Sequence, residues 1–488
     1  MRSARPAPPA ALLLPIDRGR DLPLYRQVYH GLRAAILGGG LAPGTPLPSS
    51  RALADELGVS RNTVVLAFDQ LVAEGYLEGA PRSGTRVARA LPRRADATRQ
   101  RRSAGPSGIS ARGRAIVAVP MPALARGGTV PRPFRVGVPA LEEFPRTLWA
   151  RLTSRRWRRA PVLAYGDVSG YRPLREAIAA YVGAARGARC TPDQIIVVNG
   201  SQQGVDLAAR ILLDPGDTVW MEEPGYGGAR IALLAGGAQP VPVPVDGDGL
   251  VVEAGRVLAG GARMAYVSPS HQFPLGVTMS AARRLELLRW AAGAGAWVLE
   301  DDYDSEFRYD ARPLASLQGM DERGRVIYVG TFSKTLFPAL RLGYLIVPDA
   351  LVDAFRAARA AADRHSPVVD QAVLADFLTE GHFARHVRRM RRLYGERQDA
   401  LVVAVRERLA GRLEAPARPA GMHLVGWLAP GEDDTAMAAR AAEAGVETPP
   451  LSRYSVHRPS RGGLLLGWAG YTPQAIREGV DCLARALR

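Results

Sequence analysis

A single lysine, Lys334, stands out among the residues of this 488-residue chain that can act as nucleophiles. The chain contains 64 lysine and arginine residues, and all of them except Lys334 are arginine. A guanidinium stays protonated, whereas a buried ammonium can lose its proton and become an amine that forms a Schiff base. Chance survival of one lysine in an arginine-rich composition is the alternative, so the neighbouring residues decide between the two.

Three polar segments supply the other groups that such an amine requires. Residues 330–343 surround Lys334 with hydroxyls and one arginine, Arg341. Residues 300–306 are mostly acidic and end an apolar strand, where they offer an anion for a pyridinium nitrogen, although a plain acidic loop has the same composition. Residues 199–204 follow a predicted strand and open a helix, whose free amides and dipole favour a phosphate. An amine, an anion and a phosphate cradle together indicate a pyridoxal 5'-phosphate (PLP) site.

A second chemically distinctive group, Ser60, Arg61, Asn62 and Thr63, lies at the start of a helix that is predicted to end near Glu74. At a helix start, side chains and free amides can contact phosphates and base edges. The group therefore indicates a DNA-binding surface, and a generic three-helix scaffold is the alternative.

The elements before that group predict a helix-turn-helix. A first helix is predicted over residues 22–37, and a second one, capped by Ser49 or Ser50, ends at Leu57 before a tight turn at Gly58. Such a unit needs an apolar interior, for which the sequence offers Ala54, Leu57, Val59, Val64 and Leu71.

The residues after the DNA-binding helix predict a small hairpin, which would be the wing of a winged helix-turn-helix. Gly84 can supply its turn, and Arg82 and Arg86 flank that glycine. A basic hairpin beside a helix-turn-helix favours DNA binding over a generic scaffold.

Beyond the wing, the chain divides into a linker and a larger domain. Residues 97–141 contain eight arginines and no acidic residue, and they show no amphipathic period. From about residue 142, helices alternate with short apolar strands, which predicts a mainly parallel sheet with crossover helices. The strands are predicted at residues 194–199, 218–221, 264–268, 296–300 and 326–329. The chain after residue 380 is predicted to form a smaller α+β lobe.

Composition narrows the class of protein. The formal net charge is +17, and the first 130 residues contain 19 arginines against 8 acidic residues, so a polyanion is expected to bind the N-terminal part. The two cysteines, Cys190 and Cys482, do not have metal-ligand spacing, so neither a disulfide framework nor a metal site is expected. No apolar run is long enough for a membrane span or a signal peptide, which favours a cytoplasmic protein.

The N-terminal motifs resemble a known DNA-binding family. Residues 48–51, 57–64 and 74–77 are similar to the winged helix-turn-helix of GntR-type bacterial regulators. The resemblance implies contact with double-stranded DNA, and it places Arg51, Ser60, Arg61, Thr63 and Gly84 nearest to that DNA.

With residues 266–274 and 380–383, the motifs of the larger domain extend the resemblance to nearly the whole chain. They are similar to MocR/GabR-type regulators, in which a GntR-type winged helix is joined to a fold-type I aminotransferase-like domain. The resemblance implies that Lys334 forms an internal aldimine with PLP, that Asp301 pairs with the pyridine nitrogen, and that Tyr303 approaches the ring hydroxyl. The remaining implied contacts to PLP are phosphate binding by Ser201, Gln202, Thr331 and Arg341, ring stacking by Tyr226, and a phosphate contact by Tyr165 of the partner subunit.

Two positions depart from the pattern of fold-type I aminotransferases. Residues 273–276 read Phe-Pro-Leu-Gly where many such enzymes have Asn-Pro-Thr-Gly, so an asparagine that would hydrogen-bond the ring hydroxyl is missing. Residues 463–468 lack the arginine that grips a substrate carboxylate, and Arg453 is the candidate substitute. Both gaps make PLP binding a firmer expectation than efficient transamination.

The sequence therefore predicts a winged helix-turn-helix domain at residues 15–88, a linker at 89–141 and an aminotransferase-like α/β domain at 142–488. The leading hypothesis is a cytoplasmic, homodimeric transcription regulator that senses PLP, an amino acid that condenses with it, or both. A PLP-dependent aminotransferase with an incidental DNA-binding extension is one rival, and slow transamination by a regulator is compatible with the leading hypothesis. A DNA-binding protein with a vestigial, PLP-free domain is the other rival.

Overall fold

The computed structural model describes residues 14–80, 84–89, 109–120, 132–158, 164–309 and 314–487. The chain divides into two compact units, residues 1–107 and residues 108–488. None of the described helices combines the length and the apolar character that a membrane crossing requires.

The smaller unit contains three helices and a hairpin: α1 (Leu24–Leu37), α2 (Ser50–Leu57), α3 (Arg61–Ala73), β1 (Leu77–Ala80) and β2 (Gly84–Val87). Side-chain oxygens of Ser49 and Ser60 cap α2 and α3 by accepting hydrogen bonds from amides that a helix start leaves unpaired. Gly58 ends α2 with a φ of 63°, a conformation that glycine adopts without steric penalty. The predicted helix-turn-helix and hairpin are therefore confirmed.

One apolar core, shared by the three helices, holds the smaller unit together. The residues predicted to lie inside it do so, with Ala54, Val64 and Leu71 buried and with Leu57 and Val59 half-buried. Burial of these side chains fixes α3 against α1 and α2, which leaves the first turn of α3 on the surface.

The larger unit is built from α-helices and β-strands that alternate along most of its length. Its helices are α4 (Ala111–Val117), α5 (Arg146–Trp157), α6 (Arg172–Arg186), α7 (Ser201–Leu212), α8 (Gly227–Gly236), α9 (Val252–Ala259), α10 (Ala281–Ala294), α11 (Leu317–Met320), α12 (Val352–Asp363), α13 (Val368–Thr379), α14 (His382–Arg408), α15 (Asp434–Glu443) and α16 (Pro473–Ala486). Its strands are β3 (Ile195–Val198), β4 (Thr218–Glu223), β5 (Gln239–Asp246), β6 (Gly249–Leu250), β7 (Met264–Val267), β8 (Trp297–Asp302), β9 (Val326–Thr331), β10 (Gly343–Ile346), β11 (Leu413–Glu414), β12 (His423–Leu428) and β13 (Gly463–Gly467).

An eight-stranded sheet with the order β3-β10-β9-β8-β7-β4-β5-β6 forms the centre of this unit. Strands β5, β4, β7, β8 and β9 run parallel, whereas β10 is antiparallel to both of its neighbours. Because side chains alternate along a strand, Ile196 and Val198 join the core that includes α7 and α8, and Ile195 and Val197 join the core that includes α6 and α13. The predicted mainly parallel sheet between layers of helices is confirmed.

Strand β5 shows why the sequence reveals only part of this sheet. Prolines occupy every second position from Pro240 to Pro244, and proline usually argues against a strand because it has no N–H to donate. All three prolines direct the missing N–H away from β4, toward a side where β6 pairs only with Val245 and Asp246. The strand therefore loses few hydrogen bonds to its neighbours. Its proline content nevertheless predicts no strand at these residues.

The C-terminal part forms the predicted α+β lobe. Strands β11, β12 and β13 make an antiparallel sheet, and α14 and α16 cover it with an apolar face that includes Tyr394, Leu401, Ile476 and Leu483. All four of these side chains are fully buried.

Composition assigns residues 132–141 to the linker, whereas the structure places them in the larger unit. Phe134 is fully buried in the core of the C-terminal lobe, and its carbonyl oxygen accepts a hydrogen bond from the Gly467 amide. Residues 109–120 also belong to the larger unit, where the α4 side chain of Arg112 donates to the carbonyl oxygen of Ala235 on α8. A composition averaged over 45 residues hides such short apolar anchors. The rest of the predicted linker, residues 90–108 and 121–131, lies outside the described part of the chain.

Candidate functional site

Lys334 lines a cavity of about 290 Å³ in the larger unit, just beyond the carboxyl end of β9. Its Nζ donates a hydrogen bond of 3.1 Å to the carbonyl oxygen of Gly137. Burial lowers the pKa of Lys334, and the carboxylates of Asp304 and Asp301 act in the opposite direction. Burial therefore favours the neutral amine that Schiff-base chemistry requires.

Asp301 reaches the same cavity from the end of β8, the strand next to β9. Its Oδ2 accepts a 2.5 Å hydrogen bond from the Tyr266 hydroxyl, whereas its buried Oδ1 has no partner among the described residues. Burial raises the pKa of Asp301 to about 6. A buried acceptor without a donor is unusual in a folded protein, so Oδ1 is suited to an N–H of a ligand.

The four residues predicted to bind phosphate, called the phosphate cradle below, all line the cavity: Ser201, Gln202, Thr331 and Arg341. Ser201 and Gln202 belong to the first turn of α7, where free amides and the helix dipole favour an anion. Gly200 precedes them with a φ of 87°, and a Cβ on this residue would lie 2.9 Å from a guanidinium nitrogen of Arg341. The close approach of the Arg341 guanidinium to the backbone of residue 200 therefore depends on glycine.

Aromatic side chains form further walls of the cavity. The Tyr226 hydroxyl donates to Oε1 of Gln202 at 3.3 Å, and burial raises the pKa of Tyr226 to about 12, so this hydroxyl stays protonated. Tyr303 lies near Lys334 in the same lining. Phe273, at the position where the sequence departs from the aminotransferase pattern, packs edge-on against Tyr226 and Tyr303.

The described residues fit PLP. Besides Oδ1 of Asp301, the buried Ser333 hydroxyl lacks a partner among the described residues. Two polar groups of the cavity lining can therefore form hydrogen bonds with a ligand. Gly228 and Gly200 have no Cβ, and a Cβ on either would collide with side chains of the lining. Lys334, Asp301 and the phosphate cradle thus share one cavity, as the sequence predicts.

Two sequence-predicted residues lie elsewhere. Arg453 lines a separate, smaller pocket beside Glu223 and Arg230, and it does not line the cavity of Lys334. Tyr165 is 86% exposed, and its ring packs edge-on against His365 rather than in the cavity of its own subunit. Among the described residues, the arginines that do line the cavity are Arg341 and Arg135.

Sequence reasoning missed Arg135, along with the buried residues Asp304, His271 and His423. Arg135 lies in the segment that composition assigns to the linker, and its Nε lies 3.3 Å from Oε1 of Glu447. The clearest available signal was the adjacent Phe134, a large apolar residue in an otherwise arginine- and proline-rich stretch.

The predicted DNA-contacting residues all lie in the smaller unit. Ser60 caps α3, and its Oγ lies 2.8 Å from Oγ1 of Thr63. Ser60, Arg61 and Arg51 are exposed, and no acidic residue lies in the first turn of α3. Gly84 is exposed at the start of β2, with a φ of 80°. Residues 81–83, including Arg82, lie outside the described part of the chain. The prediction that Arg82 flanks Gly84 in the wing therefore rests on the sequence alone.

Comparison with known proteins matches both units. Residues 146–483 match the aminotransferase class I and II family, and residues 24–87 match the bacterial regulatory proteins of the gntR family. The "Probable rhizopine catabolism regulatory protein MocR" of Rhizobium meliloti is 45% identical over 97% of this chain and 96% of its own length. The "HTH-type transcriptional regulator TauR" of Rhodobacter capsulatus is 36% identical over 95% of this chain and 96% of its own length.

A solved structure resembles the larger unit. The α-aminoadipate aminotransferase LysN of Thermus thermophilus, complexed with N-(5'-phosphopyridoxyl)-L-leucine, has a TM-score of 0.67 and 30% identity over 72% of this chain and 91% of its own. The larger unit therefore has the fold of PLP-dependent aminotransferases, and PLP is the implied cofactor.

Proposed function

We propose that this chain, which belongs to the MocR-type family of transcription regulators with a GntR-class DNA-binding unit and an aminotransferase-like unit, senses PLP, an amino acid that condenses with it, or both, at Lys334. One observation carries the proposal. The only lysine of the chain lines the same cavity as the unpartnered Asp301 oxygen and the phosphate cradle.

Each predicted site residue that lines the cavity has a task in this proposal. When bound, PLP supplies an aldehyde that condenses with amines and a ring that withdraws electrons. Lys334 would provide the amine, Asp301 would accept a hydrogen bond from the ring nitrogen, and Tyr303 would donate one to the ring hydroxyl. The phosphate cradle would hold the phosphate, and Tyr226 would stack on the ring.

The N-terminal residues of the larger unit, which follow the DNA-binding unit in the chain, support a regulator over a simple enzyme. Pro120, Arg135, Val136 and Gly137 all line the cavity, and the chain leads from them back to the DNA-binding unit. A ligand changes a conformational equilibrium only through different affinities for its two states. We therefore propose that an occupant of the cavity contacts these residues differently in two conformational states, which would couple ligand binding to the DNA-binding unit.

The aminotransferase alternative lacks the arginine that the pattern of fold-type I aminotransferases places near the C-terminus. Strand β13 contains no basic residue, and Arg453 lines another pocket. Slow transamination remains compatible with the proposed regulator, because Lys334 and Asp301 are both present in the cavity.

We also place the protein in the cytoplasm as a homodimer that binds an operator. Tyr165 supports the dimer. Its exposed ring does not line the cavity of its own subunit, so it is available to line the cavity of a partner subunit. The cytoplasm follows from the proposed task, since an operator-binding regulator acts on chromosomal DNA.

Visible absorption of the purified full-length protein tests the proposal. Titration with PLP is expected to give a saturable yellow species, because Lys334 is the only side-chain amine of the chain. Reduction with borohydride should fix the cofactor on the peptide that contains Lys334, as read by mass spectrometry. A protein that stays colourless after PLP is added would contradict the assignment.

Arg135→Gln is expected to raise the Kd of carboxylate-bearing amine effectors about ten- to hundred-fold, because a hydrogen bond to a charged group contributes about 1.5–3 kcal/mol. In this prediction the ligand carboxylate replaces Glu447 as the partner of Arg135. The readout is the change in visible absorption when the PLP-loaded protein is titrated with amino acids. Arg453→Gln is the matched control and should leave the Kd unchanged, because Arg453 lines a different pocket. Weakening by Arg453→Gln alone would restore the assignment made from sequence.

A further inference from the structure

A chain of three hydrogen-bonded side chains ends at the cavity. The hydroxyl oxygen of Tyr303 lies 2.9 Å from Nδ1 of His271, and the same Nδ1 lies 3.0 Å from Oδ2 of Asp304. The side chains of His271 and Asp304 are each 1% exposed. Tyr303 and Asp304 line the cavity, whereas His271 lies behind them.

Two observations locate the hydrogen of the His271 ring. Carboxylate oxygens accept hydrogen bonds, so the 3.0 Å contact with Oδ2 of Asp304 favours a hydrogen on Nδ1. Nε2 has no partner among the described residues, and a Cβ on Gly276 would lie only 3.0 Å from it. A buried N–H without a partner is rarer than an unpartnered acceptor, so Nε2 is the unprotonated nitrogen.

This tautomer determines the direction of the Tyr303 hydroxyl. Because Nδ1 carries the hydrogen, it cannot accept one from Tyr303, and the hydroxyl oxygen instead shares this N–H with Oδ2 of Asp304 in a three-centre hydrogen bond. The hydroxyl hydrogen is then free to point into the cavity that Tyr303 lines. Phe273 packs edge-on at 6.2 Å from the Tyr303 ring and has no polar side-chain atom. Since Phe273 occupies the position of the missing asparagine, the donor to the ring hydroxyl of PLP is left to Tyr303.

We propose that His271 and Asp304 are positioning residues that turn the hydroxyl hydrogen of Tyr303 toward the ring hydroxyl of bound PLP. The inference rests on the proposed function, because it requires PLP in this cavity. Among the described residues, the other charged or titratable groups around this chain of side chains include Asp301, Asp302, Glu222, Lys334, His423 and Arg418.

A metal ion is the rival occupant. His271, Asp304 and His423 bring three potential ligand atoms within 4.8 Å of one another. The observed hydrogen bonds favour a hydrogen on Nδ1 of His271 over a metal ion. Nδ1 of His271 already contacts Tyr303 and Asp304, and Nε2 of His423 lies 3.2 Å from the carbonyl oxygen of Pro274.

The test measures the pH midpoint of the visible absorption of the PLP-loaded, full-length protein. Tyr303→Phe removes the donor to the ring oxygen, which favours the protonated Schiff base and should raise the midpoint by about one pH unit or more. His271→Leu should raise the midpoint at least half as far. His271→Asn, which has the shape of leucine but offers an N–H close to the position of Nδ1, should return it to within about 0.3 units of wild type. Asp304 is kept in all four proteins, so its charge stays constant.

The outcomes separate this inference from the proposed function. A wild-type midpoint in His271→Leu, beside a raised midpoint in Tyr303→Phe, would overturn the inference while PLP binding stands. Equal midpoints for His271→Asn and His271→Leu would also overturn it, because the effect would then come from the ring rather than its N–H. A wild-type protein that binds no PLP would overturn both proposals.

A second measurement reads the tautomer directly in the wild-type protein. Nitrogen NMR of the wild-type protein labelled at its seven histidines should show His271 protonated at Nδ1, with the signal assigned by its loss in His271→Asn. Protonation at Nε2 would overturn the inference. So would a stoichiometric metal ion that the wild-type protein retains and His271→Leu loses, measured by elemental analysis.

Discussion

Lys334→Arg is expected to abolish the visible absorption of the PLP-treated protein and every effector-dependent change in operator affinity, while basal operator binding persists. The substitution keeps the positive charge, but a guanidinium cannot supply a neutral amine. The DNA-binding unit has its own core, to which residue 334 does not contribute. Loss of the response together with retained binding is therefore the signature of a sensor at this residue.

Operator affinity measured by fluorescence anisotropy tests this prediction. Both proteins are titrated with operator DNA, with and without PLP and candidate amino acids, beside single-turnover spectra. Identical effector responses in the two proteins would remove Lys334 from the sensing mechanism. Multiple turnover by the wild type, combined with no preference for any operator, would instead favour the aminotransferase alternative. A wild type that responds to neither PLP nor amino acids but binds its operator would favour the vestigial domain.

The candidate site was predictable where neighbours in the chain are also neighbours in the fold. Ser60, Arg61 and Thr63 share one helix turn, so their spacing alone places them together. Lys334 and Asp301 are far apart in sequence, and the sequence groups them only by the chemistry of PLP and by the resemblance to MocR/GabR-type regulators. The structure brings them together because Asp301 lies at the end of β8 and Lys334 follows the neighbouring parallel strand β9, and the carboxyl ends of parallel strands share one edge of a sheet.

Contacts made by irregular backbone were not predictable in this way. Arg135 reaches the cavity because Phe134 anchors its segment in the C-terminal lobe, a contact across more than 300 residues of sequence for which the sequence shows no periodic pattern. His271 meets Asp304 because two loops at neighbouring strand ends are folded against each other. Arg453 illustrates the converse error, because nearness in sequence to β13 does not place its side chain on the cavity side.

The start of α3 carries the physical features of a DNA contact. Arg61 is the first residue of the helix and is exposed, directly after the cap at Ser60. The helix dipole and the absence of acidic residues from this first turn make the local potential positive. An arginine at such a position can contact a phosphate or pair with a guanine edge, and salt dependence distinguishes a phosphate contact from a base contact.

Arg61→Ala in the full-length protein is expected to weaken operator binding about 5- to 150-fold, corresponding to about 1–3 kcal/mol for a well-formed arginine–base contact. If Arg61 contacts a phosphate instead, affinity for operator and random duplex should fall together, and the slope of log K against log salt should shrink by about one. Arg20→Ala makes the same charge change at an exposed residue before α1, outside the predicted contact set, and is the matched control. Anisotropy titrations at several salt concentrations, with operator and random DNA, measure both quantities. Equal losses of operator affinity in Arg61→Ala and Arg20→Ala would mean that Arg61 acts only through the net charge. An unchanged affinity in Arg61→Ala would show that the start of α3 is not part of the DNA-binding surface.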